Sequence, residues 1–136
     1  MRRERVLKRI VERDLQVDET PVLTPSENMR GVAVQGADGR SLGHVDHVVI
    51  DKRAGRLAYV VLAYGGVLGI GERLHPLPFD ALAYDRSIDG YRAMVTRDDI
   101  EGAPHSLADE RRWSDPEWRR KIDSHFAIPG GLRCDA

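Results

Sequence analysis

The sequence predicts a small, mainly β domain with short helices near both ends. Three observations support this fold class. β-branched residues concentrate between residues 31 and 84, apolar and polar side chains alternate around Leu57, Tyr59 and Val61, and glycines separate the apolar runs at hairpin spacing. The chain of 136 residues has room for one such domain with additional segments.

Composition and charge narrow the class of protein. Hydrophobic residues make up 41% and charged residues 32% of the chain, as in ordinary globular domains. The net charge of −1 provides no overall field that attracts nucleic acid or anionic lipid. The lone cysteine, Cys134, excludes an intramolecular disulfide. With no apolar run of about 18 residues and no apolar leader, the sequence predicts a cytoplasmic protein without a transmembrane segment.

Residues 2–15 have the pattern of an amphipathic helix, and a linker follows. Its apolar side chains recur at offsets of three and four and form one stripe: Val6, Leu7, Ile10 and Val11. The other face is rich in bases, namely Arg2, Arg3, Arg5, Lys8, Arg9 and Arg13. Such a helix fits three roles: it docks on the β domain or a partner subunit, lies on an anionic membrane, or contacts a phosphate backbone.

Turn residues divide the β segment into strands. The expected strands cover residues 31–35, 42–51, 56–63, 72–79 and 91–95, with 80–84 as a further strand or short turn. Pro76 and Pro78 lack the N–H that a sheet ladder needs, so the fourth strand is expected at an edge or a bulge.

Capping sequences predict three short helical segments. They begin at Thr24, Thr96 and Ser114, each followed three residues later by an acidic residue. The last of these helices is expected to run to about His125, with Trp118 and Ile122 on one face.

Several motifs occur in a recognisable register: Leu42-Gly43, Asp51 to Gly55, Gly65-Gly66 to Gly71, and Pro76-Leu77-Pro78-Phe79. Together they resemble the PRC-barrel family, a small β-barrel module of the photosynthetic reaction centre H subunit and of a ribosome-maturation factor. The resemblance implies a barrel of about six antiparallel strands without shared catalytic residues. It divides the chain into an N-terminal helix and linker (1–23), a PRC-barrel domain (24–104) and a helical tail (105–136).

A search for chemistry finds no catalytic set. The glycine-rich stretch 65–71 lacks the Gly-Lys-Ser/Thr of a phosphate loop and is not followed by a helix pattern. On a regular strand, His44 and Asp46 share a face while His47 points away, which disfavours a metal site unless a bulge intervenes. No nucleophile accompanies a base and an orienting group. We therefore expect no enzyme, no cofactor and no metal.

Apolar and aromatic residues instead suggest an interaction surface. The candidates are the apolar loop residues Val67, Leu68 and Ile70 and the two tail tryptophans, Trp113 and Trp118. Two alternatives stay open, since the loop is equally compatible with burial across the barrel end and the tail with folding back over the barrel.

The leading functional hypothesis is a non-catalytic protein-interaction or assembly module that forms a homo-oligomer, which would also enlarge a modest core. RNA or ribosome binding is the second hypothesis, supported by basic faces on both terminal helices but weakened by the net charge. A peripheral membrane role is the third, and only the first helix would serve it.

Overall fold

The computed structural model describes residues 19–65, 72–107 and 112–127. Six strands are present: β1 (Ala33–Gln35), β2 (Ser41–Asp51), β3 (Arg56–Tyr64), β4 (Arg73–Pro78), β5 (Leu82–Asp85) and β6 (Gly90–Ala93). Two α-helices follow, α1 (Arg97–Glu101) and α2 (Pro116–His125), and 3₁₀ turns occur at Ser26–Met29 and Phe79–Ala81. The predicted N-terminal helix and the loop with Val67, Leu68 and Ile70 lie outside the described residues.

The strands form one curled sheet in the order β4-β3-β2-β1-β6-β5. The long β2–β3 hairpin lies between β4 and β1, and every residue of β3 from Tyr59 to Tyr64 is buried. This burial on both faces explains why the sequence of β3 reads as an almost continuous apolar run. The mainly β prediction is confirmed.

The sheet is mixed, so the expectation of purely antiparallel strands is wrong. β1 pairs with β6 in parallel, with Val34 opposite Tyr91, while the other ladders are antiparallel. Hairpins determine the orientation of consecutive strands, whereas the β1–β6 pairing joins strands that are distant in sequence. The described residues contain no β4–β5 ladder, so the sheet is an open half-barrel with these strands at its edges.

Two glycines allow the strands to approach closely. A Cβ on Gly43, which has φ +126°, would lie 2.2 Å from the Ala63 carbonyl oxygen. A Cβ on Gly90 would lie 2.4 Å from the carbonyl oxygen of Ala33. Since both obstacles are backbone atoms, only glycine fits either position without shifting a strand.

The tail contributes to the same hydrophobic core as the sheet. Three apolar side chains on or next to α2, those of Trp118, Ile122 and Phe126, are 5%, 0% and 2% exposed. They join the core cluster that contains Val45 and Leu62 of the sheet. The alternative in which the tail folds back over the barrel therefore describes this structure.

The predicted helix starts have different outcomes. Thr96 is confirmed, because the Asp99 carboxylate accepts a hydrogen bond from the Thr96 N–H at 2.9 Å and closes a capping box. The prediction that Thr24 caps a helical turn is wrong. Pro25 directly precedes the 3₁₀ turn, and the Thr24 hydroxyl donates to Glu19 at 2.8 Å instead. Helix α2 is capped by Asp115 rather than Ser114, and Asp115 accepts from the Glu117 N–H at 2.9 Å.

Candidate functional site

The two edges of the sheet differ in how they are covered. At the β4 edge, Leu74 and Ser106 exchange two backbone hydrogen bonds of 2.9 Å each, so the chain after α1 covers part of the edge. Pro76 and Pro78 remove two further donors from β4, as the sequence predicted for an edge strand. The β4 edge is thus blunted against pairing with another chain.

The β5 edge is open in the part of the chain that the structure describes. The Met94 N–H donates to the Ala81 carbonyl at 3.0 Å. Opposite residues of an antiparallel ladder are hydrogen-bonded at every second pair, so this bond identifies which residues of β5 bond to β6. In this register the N–H and C=O of Tyr84 point away from β6, towards the outer side. No other strand among the described residues pairs with β5.

An apolar groove of about 300 Å³ lies beside this open edge. One wall is the segment before the first 3₁₀ turn, and the rest of the lining comes from that turn and from the sheet. The apolar lining residues are Pro21, Val22, Leu23, Met29, Val32, Tyr84 and Tyr91. Val22, Leu23 and Tyr84 are 87%, 69% and 53% exposed. Large apolar side chains grouped at this level of exposure are typical of interaction sites.

Aromatic contacts hold the sheet side of the groove in place. The Tyr91 ring contacts Tyr84 and Phe79 edge-to-face, at centroid distances of 5.7 and 6.0 Å. Its hydroxyl donates to the Met29 thioether at 3.8 Å, and burial raises the pKa of Tyr91. The Tyr84 hydroxyl donates to Asp89 at 2.7 Å. Both tyrosines are therefore fixed before any partner arrives, which reduces the entropy lost on binding.

The groove has an acidic rim. Glu19 and Asp89 line the groove. Both residues also line an adjoining open cavity, together with Glu27 and one basic residue, Arg30. Three carboxylates against one guanidinium favour a basic partner over an acidic one.

Neither tail tryptophan lines the groove. The ring of Trp113, which is half-buried, packs 5.0 Å from the ring of Tyr59, and Trp118 lies in the core. Trp118 therefore presents almost no surface in the monomer, and the Trp113 face is partly used by the chain itself.

Hydrogen bonds attach the tail to the half-barrel. The Tyr59 hydroxyl donates to Asp123 at 2.7 Å; burial and then Asp123 raise the pKa of Tyr59 to about 12. The His125 Nε2–H donates to the Asp99 carbonyl at 2.7 Å and links α2 to α1. These contacts make α2 part of the folded unit.

The side chain of His75 is fully buried. Its Nδ1–H donates to the Pro104 carbonyl at 3.1 Å, and Nε2 has no hydrogen-bond partner among the described residues. Burial, followed by the charge of His105, lowers the pKa of His75 to about 4. The imidazole is thus neutral at pH 7 and binds the segment after α1 that covers part of the β4 edge.

The His44–Asp46–His47 cluster does contain the bulge that a metal site would have needed. The β2–β3 register shifts between Val45 and His47, and His47 Nδ1 lies 2.7 Å from Asp46 Oδ2. Even so, no three potential ligands come together among the residues that the structure describes.

The groove is not predicted from the sequence, in which residues 16–23 have the pattern of a linker. A usable signal was present, since Val22 and Leu23 form an apolar pair between Pro21 and Pro25. It did not suffice, because Met29, Tyr84 and Tyr91 approach this pair only in the folded chain.

Comparisons with known proteins agree with this architecture. No curated protein matches the chain. In the described part of the chain, no helix is long and apolar enough to cross a membrane. The family model of the PRC-barrel domain matches residues 25–100, which is more than half of the 136 residues. The chain therefore belongs to the PRC-barrel family.

Proposed function

We propose that this protein is a non-catalytic assembly module that acts in the cytoplasm and associates with a second copy of itself. The observation that carries the proposal is the apolar groove beside the unpaired β5 edge. Val22, Leu23 and Tyr84 are exposed there, and burying them in a complex removes apolar surface from water. Membership of a family of interaction modules supports the same class of function.

The physical cost of leaving this region uncovered favours a permanent contact. An open strand edge next to apolar side chains is a site for unwanted pairing, and proteins normally cover it. A small domain also gains stability when it buries further surface in a partner. Self-association satisfies both requirements without any second gene product.

The RNA-binding alternative receives less support. The arginines of the tail that would bind RNA already contact other residues of the chain. Arg112 stacks over Trp118 at 5.1 Å, and Arg120 pairs with Glu117. Arg119 is held by Tyr59 and Asp123, which together raise its pKa. A surface for RNA needs such groups free to reach phosphates.

Light scattering tests the proposal directly. We expect the purified full-length protein to have the mass of a discrete oligomer at micromolar concentration, with an ultraviolet spectrum free of nucleic acid. Leu23→Asp places a charge in the groove and should shift the mass towards the monomer. Ile50→Asp is the matched control, because Ile50 is 54% exposed on β2 and lines no part of the groove. A monomeric wild-type protein at this concentration contradicts the proposal.

A further inference from the structure

The acidic rim restricts what fills the groove. If two copies met groove to groove, Glu19 and Asp89 of both molecules would be brought together. Like charges facing each other across an interface oppose association. A second copy therefore has to contribute a different, basic and apolar element.

The chain carries such an element in residues 2–15. The sequence predicts an amphipathic helix there, with an apolar stripe and with six bases against three acids, Glu4, Glu12 and Asp14. A helix of 14 residues is marginal on its own in water and needs an apolar surface for stability. Its charge is opposite to that of the rim, and its stripe matches the apolar floor of the groove.

The attachment point is close to the groove. The described chain begins at Glu19, which itself lines the groove. Only residues 16–18 separate the predicted helix from that wall, and three residues span at most about 11 Å. To fill its own groove, the helix would have to reverse within this short connection. Short connections under strain favour exchange of the segment between two chains.

We propose that the groove of each copy binds the N-terminal segment, residues 2–15, of a second copy. This assignment rests on the proposed self-association and names the element that produces it. The groove volume of about 300 Å³ holds a few side chains rather than a whole helix, so the helix lies across it with its Val6/Leu7/Ile10/Val11 stripe inserted. The flexible Met29 side chain in the floor adapts to such aliphatic groups.

Cross-linking between two different chains is the first test. One chain carries Leu7→Cys and the other Leu23→Cys, both with Cys134→Ser, and the two are co-expressed with distinguishable tags. A short bismaleimide should join the two different chains in high yield. Replacing Leu23→Cys by Ile50→Cys should reduce the yield to background, because Ile50 is also exposed, at 54% against 69% for Leu23, but does not line the groove.

The same reagent distinguishes exchange from self-docking. In a single chain with both Leu7→Cys and Leu23→Cys, exchange produces covalent dimers. If this chain cross-links only within itself and the mixed pair does not react, the exchange is wrong. If neither reacts, residues 2–15 do not occupy the groove at all.

Charge insertion into the stripe is the second test. Leu7→Asp/Ile10→Asp in the full-length chain should raise the dissociation constant of the oligomer at least about a hundredfold, whereas Glu4→Gln on the polar face should not weaken it. A monomeric wild-type protein refutes the proposed function. An oligomer that withstands Leu7→Asp/Ile10→Asp refutes only the segment exchange.

Discussion

The β4 and β5 edges of the half-barrel differ in how their outward-pointing backbone groups are covered. The β4 edge is closed within the chain by Pro76, Pro78 and the Leu74–Ser106 bridge, with α2 packed nearby. The β5 edge keeps outward-pointing backbone groups and lies beside exposed Val22 and Leu23. The difference teaches that the C-terminal extension completes the fold, whereas the described residues leave the apolar surface at the β5 edge exposed.

This comparison separates stability from assembly. Substitutions at the closed edge should change the free energy of unfolding, because the residues involved are buried or half-buried. Substitutions at the open edge should change the oligomeric state and leave the folded monomer intact. The following predictions test the closed edge, from the largest expected effect to the smallest.

Trp118→Ala should have the largest effect. Trp118 is 5% exposed within the core, and truncating a buried tryptophan costs about 3–5 kcal/mol. Urea denaturation should show this loss in the free energy of unfolding. Leu23→Ala at the open edge is the comparison variant and should change the monomer by less than about 0.5 kcal/mol. Equal effects of the two substitutions would contradict the division between the edges.

Acidification should weaken the closed edge through His75. The folded protein holds the pKa of His75 at about 4, against 6.5 for an unperturbed imidazole. At higher pH the side chain is neutral in both the folded and the unfolded state. As the pH falls from 6.5 towards 4, only the unfolded state takes up the proton, so stability falls by about 3 kcal/mol in total.

The variant His75→Gln isolates this effect. Glutamine can still donate to the Pro104 carbonyl but does not titrate in this range. Denaturation curves at several pH values should show a smaller acid-dependent loss in His75→Gln than in the wild type. Identical pH dependence of the two proteins would show that His75 does not control it.

Ser106→Pro should have the smallest effect of the three. It removes the N–H that donates to the Leu74 carbonyl at 2.9 Å, and the loss of this bond at a partly buried edge costs about 1–2 kcal/mol. Ser106→Ala keeps the backbone donor and serves as the control. Increased oligomerisation of Ser106→Pro, measured by light scattering, would indicate that the Leu74–Ser106 bridge also protects β4 from pairing with another chain.

Local patterns were sufficient for much of the fold. Turn glycines and apolar alternation identified β2 and β3 almost residue by residue, since hairpin geometry depends on neighbouring residues. The two prolines correctly indicated an edge strand, because proline lacks the backbone donor wherever it lies. The capping box at Thr96 was also predicted correctly, because all its atoms lie within four consecutive residues.

Helix ends and the sheet direction were less predictable. Thr24 and Ser114 had capping-box spacing, yet Thr24 bonds to Glu19 and Asp115 caps α2. Several residues near a helix start can compete for the same role, and only the folded backbone selects one. The parallel β1–β6 pairing likewise depends on strands more than 50 positions apart in the chain.

The sequence alone determined the family, the strand-forming segments and the edge position of β4. The tertiary structure decided that Trp118 lies in the core, that His75 is neutral and buried, and that Val22 and Leu23 face Tyr84 and Tyr91 across a groove. The physical reason is range: backbone propensity and turn chemistry act over a few residues. Burial, pKa and surface shape instead depend on residues that the folded chain brings together from distant positions.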